Sequence, residues 1–135
     1  MNKQFFISLL FALLTFVILG GLFGNFVFLP EFATWHEAYP DAVRETPDFV
    51  SGFVLGLLQL IAFVVLLPKL QITSGSGAAL FGAVYSVVIW LIVDLQMVSV
   101  TNFVSYEYVL KDALLSAVMG AILGVVVSWS QKRFA

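Results

Sequence analysis

Four long stretches with almost no charge dominate this chain: residues 5–29, 49–67, 78–98 and 108–129. A helix needs about 20 apolar residues, rising 1.5 Å each, to cross a hydrocarbon core of about 30 Å. The first three stretches contain one charge, Asp94. The fourth carries Lys111 and Asp112 near its start and is otherwise apolar or small. In lipid every backbone N–H and C=O must be satisfied within the protein, which leaves helices or a closed barrel. Barrel strands alternate over about ten residues, and these stretches do not alternate. The pattern therefore predicts four transmembrane helices. Composition agrees: of 135 residues 61% are hydrophobic and 10% charged, whereas soluble domains are about 25% charged. A single core of this size has no room for so much apolar surface.

The connections set the topology. Residues 30–48 hold Pro30, Pro40 and Pro47 with five acids, Glu31, Glu37, Asp41, Glu45 and Asp48. Within them Phe32, Trp35, His36 and Tyr39 recur at roughly helical spacing. That spacing predicts a short interfacial helix with Trp35, His36 and Tyr39 at headgroup level, ended by Pro40. Arg44 and Glu45 are expected to form local ion pairs. Asp48 is placed to cap the second helix, an anion at the positive end of its dipole. Residues 68–77 and 99–107 are short links, so successive helices are expected to pack antiparallel, up and down, as one transmembrane domain over 1–135. The opening Met-Asn-Lys-Gln and apolar run look like a secretion signal, but 5–29 exceeds the usual apolar region of about 7–15 residues. It is expected to remain as a helix.

Orientation follows from the cations. Lys3, Lys69, Lys132 and Arg133 fall on one side, Arg44 and Lys111 on the other. The positive-inside rule then puts both termini in the cytoplasm and loop 30–48 outside. Net charge is −2 and the six Lys and Arg form no patch, so no nucleic-acid partner is expected. The expected partner is the lipid bilayer.

Small residues recur four apart on every helix, the spacing through which membrane helices approach closely. The rows are Ser8, Ala12, Gly20 and Gly24, with Gly21 beside them; Gly52 and Gly56; Ala78, Gly82, Ser86, Trp90 and Asp94; and Asp112, Ser116, Gly120, Gly124 and Ser128. They predict a compact bundle, and faces for a homo-oligomer or a partner membrane protein.

Misplaced polar residues mark the candidate site. Asp94 inside a span costs about 2.5–3.5 kcal/mol on insertion scales and so needs a partner, a wet cavity or a proton. Lys111 and Asn25 are the expected partners, with Asp112 and Asn102 at the same end and Gln59 deeper. There is no cysteine and one histidine, which leaves no thiolate, haem or zinc set; no metal and no cofactor are expected. No phosphate loop, Ser–His–Asp spacing or helical histidine pair is present.

These residues resemble a family of small bacterial four-helix integral membrane proteins of unknown function. The resemblance runs along nearly the whole chain. It includes Gly20-Gly21-Leu22-Phe23-Gly24, Arg44-Glu45, Asp94-Leu95, Thr101-Asn102, Asp112 and Gly120-Ala121-Ile122-Leu123-Gly124. In that family the aspartate tends to be followed by Leu-Thr-Met-Tyr and then Thr-Thr-Asn. Met97, Thr101 and Asn102 fit this run; Gln96, Val98 and Ser99 depart from it. The resemblance implies a bundle in a bacterial inner membrane and no particular chemistry. The expected function is a non-enzymatic accessory or structural membrane subunit. The alternative is a small oligomeric proton- or ion-coupled transporter or channel using Asp94.

Overall fold

The computed structural model describes residues 3–135, and all regular structure among them is helical. The elements are α1 (Lys3–Phe23), a π-helical turn (Gly24–Phe28), α2 (Leu29–Ala38), α3 (Phe49–Lys69), α4 (Gly75–Val100) and α5 (Tyr106–Arg133). Four helical runs are long and apolar enough to cross a membrane: Lys3–Ala38, Phe49–Lys69, Gly75–Val100 and Tyr106–Arg133.

The helix at 29–38 exists, but it continues the first span instead of forming a separate element. Pro30 reads as a stop because its ring collides with the carbonyl four residues back and it donates no N–H. The π turn immediately before it widens the helix, so that Leu29 N–H bonds to the Gly24 carbonyl, five residues back. That adjustment lets the helix pass the proline. Asn25 Nδ2 donates to the Gly21 carbonyl at 2.7 Å beside the same turn.

Each later helix starts on a side-chain cap. Asp48 accepts from Val50 N (3.1 Å) and Ser51 N (3.3 Å), and Ser51 Oγ donates to its other oxygen at 2.8 Å. Ser74 caps α4 through Gly77 N, and Ser105 caps α5 through Tyr108 N. The Ser51 bonds hold the exposed Asp48 carboxyl below the usual aspartate range. A lowered folded pKa means the cap stabilises at neutral pH and is lost as pH falls through that folded value. Acidification should therefore speed amide exchange at Val50 and Ser51 before it affects the rest of α3; uniform exchange along the helix would contradict this.

Packing is uneven. α4 and α5 approach until backbone meets backbone. A Cβ at Gly82 would lie 2.0 Å from the Gly120 oxygen, and one at Gly124 would lie 2.0 Å from the Ala78 oxygen. The first helical run meets α5 at both ends: in α1 the Ser8 hydroxyl lies 3.0 Å from that of Ser130, and in α2 Glu31 pairs with Lys111. α3 seats Gly56 on the Phe16 ring of α1 and reaches α4 through Phe63, whose ring centroid is 5.4 Å from Phe81. Over Phe49, Val50, Phe53, Val54 and Leu55, α3 is exposed. The rows on α4 and α5 are buried as their spacing predicts, except for the half-buried Trp90. The row on α1 is buried only at Ser8 and Ala12, and nothing lies within 4 Å of a Cβ at Gly20, Gly21, Gly24 or Gly52.

Candidate functional site: a buried carboxyl pair

The site follows from the register of α4 on α5. With Gly82 against Gly120 and Ala78 against Gly124, the two helices run on toward the 101–105 link, where Asp94, about three turns beyond Gly82, comes near Asp112, about two turns before Gly120. Both residues are 5% exposed, and their carboxyls lie within hydrogen-bonding reach of each other. A carboxylate has only acceptors, so a hydrogen bond between two carboxyls needs a proton on one of them. Ser116, one turn along α5, donates its hydroxyl to Asp112 Oδ1 at 3.1 Å. Asp94 Oδ2 is buried and no N–H or hydroxyl reaches it.

An aromatic cap closes the site toward loop 39–48. Trp35 packs on Tyr108 with centroids 4.7 Å apart, on Phe103 at 5.5 Å and on Phe32 at 5.2 Å; Tyr39 lies 5.9 Å from Phe103. Tyr108 is one turn before Asp112 on α5. The extension of the first helix through α2 is what brings Phe32 and Trp35 over this end. His36 Nδ1 donates to the Val43 carbonyl at 2.7 Å and so pins the turn that follows α2.

Below the pair, toward the termini, lies a cavity of about 20 Å³. Its polar lining is Thr15, Gln59, Ser86 and Ser116, one or more from each of the four long helical runs; Trp90 and Met119 complete it with apolar neighbours. Gln59 Oε1 is buried there without a partner, while its backbone oxygen accepts from Tyr85 OH at 3.0 Å. Deeper still the interior turns dry: Ala12, Leu60, Phe63, Leu67, Leu123 and Val127 form the core. Polar contact resumes at the terminal end, where Gln131 Nε2 donates to the Val64 carbonyl at 3.1 Å.

The expected polar set is thus divided. Asp94, Asp112 and Gln59 share one interior track. Lys111 is turned about 100° from Asp112 on the helix and pairs with Glu31 at 3.0 Å, so Asp94 does not meet it. Both partners are partly exposed, and such a pair contributes at most about 1 kcal/mol. Asn25 is exposed on its own helix and Asn102 is exposed in the link before α5. Glu31, Thr15 and Tyr108 enter the site or its surroundings only in three dimensions; nothing in their local sequence distinguishes them. Ser86 and Ser116 could have been found, because they occupy facing positions of the two small-residue rows.

Fold and site together define a class: an all-helical chain with four spans' worth of apolar helix and a carboxyl pair sealed among them. No family model, no curated protein and no solved structure matches the chain.

Proposed function

We propose that the chain is a non-enzymatic, multi-pass protein of a bacterial inner membrane that holds an exchangeable proton between Asp94 and Asp112, and that it works as a small proton- or ion-coupled transporter, assembled as an oligomer. In this reading the helices run antiparallel, up and down, with both termini in the cytoplasm. Loop 30–48 is outside, and α2 brings Trp35, His36 and Tyr39 to the outer interface. Membership of the family that the sequence resembles is part of the proposal. The carrying observation is the burial of two carboxyls in mutual reach within apolar spans. Ionisable groups at such depth are expensive and typically mark ion or proton pathways. The dry core below the cavity argues against an open pore and for a carrier that must rearrange.

The test is proton movement into liposomes holding the purified protein and a trapped pH dye, after an acid step outside. The wild type should equilibrate faster than empty vesicles, and Asp94→Asn should fall back to the empty-vesicle rate. Wild-type vesicles no faster than empty ones would sink the reading. A reporter fused after Ala135 that is active only outside the cytoplasm would reverse the orientation.

A second reading, an accessory or structural subunit, draws support from the open backbone at Gly20, Gly21, Gly24 and Gly52 and from the uncovered start of α3. It predicts that a bulky residue at Gly21 releases a co-purifying membrane protein and leaves the bundle folded.

A further inference from the structure

The cavity beneath the carboxyl pair has a chemical bias that the pair alone does not explain. Two of its three hydroxyls have committed their protons elsewhere. Thr15 Oγ1 donates to the Phe11 carbonyl at 2.8 Å, and Ser116 Oγ donates to Asp112. What each has left for the cavity is lone pairs. Gln59 Oε1 adds an acceptor with no donor in reach. Among the described residues the two buried side-chain atoms without a partner are both oxygens, Gln59 Oε1 and Asp94 Oδ2, and both belong to this track. Oxygen acceptors gathered around a space of about 20 Å³ suit a hard cation stripped of its water, since that volume admits about one water-sized sphere. A pair of carboxyls sharing one proton carries a single negative charge, one helical turn away through Ser116. That charge balances one positive charge and no more.

We propose that this cavity binds one monovalent cation of sodium's size, coordinated by Gln59 Oε1 and the Thr15, Ser86 and Ser116 hydroxyl oxygens and balanced by the Asp94–Asp112 pair. The inference rests on the reading of that pair as a group holding one proton. It makes the protein responsive to sodium as well as to protons and names the transported or coupling ion class.

The experiment is thermal unfolding of the purified full chain in detergent, followed by tryptophan fluorescence, in NaCl against choline chloride at equal ionic strength. Saturating sodium should raise Tm by about 5 °C over choline, as expected for a ligand that binds only the folded state. Gln59→Leu should fold, because it replaces an unpartnered amide and keeps the backbone carbonyl that Tyr85 uses; it should lose the sodium response. Equal Tm in the two salts, meaning that the cavity holds water only, overturns the proposal. So does a full sodium response in Gln59→Leu. Carbodiimide labelling of Asp94, read by mass spectrometry, tests the pair separately. Labelling without any sodium effect on Tm would leave the proton-holding pair standing and remove the cation site.

Discussion

Alanine at Gly82 or Gly120 should take the α4–α5 pair apart. The added carbon would sit 2.0 Å from the Gly120 oxygen in one case and 2.1 Å from the Gly82 oxygen in the other. Both obstacles are backbone, which no side-chain rotation can clear, so the helices must separate by an ångström or more. Overpacking of this kind costs about 1–3 kcal/mol, and here it also opens the contact between Asp94 and Asp112. A loss of about 3 kcal/mol is expected for either variant, read as a fall in Tm in detergent. Gly20→Ala and Gly21→Ala supply the contrast. Nothing stands near either position, and alanine is the better helix former by about 1 kcal/mol. These two should be neutral or slightly stabilising. Equal losses at all four sites would mean that the close approach is not what holds the bundle.

Replacing the carboxyl pair by a volume-matched apolar pair, Asp94→Leu with Asp112→Ala, should raise stability and abolish proton movement together. Buried polar pairs recover their desolvation cost only with excellent geometry, and exchanging them for apolar residues is often neutral or stabilising by about 1–4 kcal/mol. Asp94 Oδ2 has no donor, so the geometry here falls short of that standard. A gain of about 2 kcal/mol is expected. If the pair were instead a structural lock that sets helix register, the double variant would lose several kcal/mol and the single Asp94→Asn would resemble wild type in every assay. The two roles therefore predict opposite signs in one denaturation experiment.

Much of this is legible in the sequence. Spans, caps and buried faces depend on local rules. Asp48 precedes an apolar run and caps it, and small residues four apart on α4 and α5 must face something close. The site was harder to read because it depends on register. Opposite charges suggested Lys111 for Asp94. Yet Lys111 and Asp112 are neighbours in sequence and point to different helices, and the glycine contacts decide which one faces α4. Carried on by fours, the glycine register pairs Ser86 with Ser116 and sets Trp90 opposite Asp112, with Asp94 one turn further along α4, so the meeting of the two acids comes from the structure and not from the rows alone. Glycine spacing alone misleads on α1, where Gly20 and Gly24 repeat like the buried glycines of α5 but meet nothing. Pro30 opens the expected 30–48 connection yet lies inside the helical run Lys3–Ala38. A proline signals an end to the helix, and the π turn that carries the helix past it leaves no mark in the sequence beyond Gly24.

The interlock of α4 and α5 has a mechanical consequence. Surfaces that mesh like gear teeth cannot slide by less than a whole tooth, so the two helices behave as one stiff plate. The gap between Asp94 and Asp112 is machined into that plate and does not breathe with small motions. Compliance must lie elsewhere, in α3, whose first two turns lean on little, and in the aromatic lid carried by α2. A working stroke would then move these parts around a fixed pair of acids.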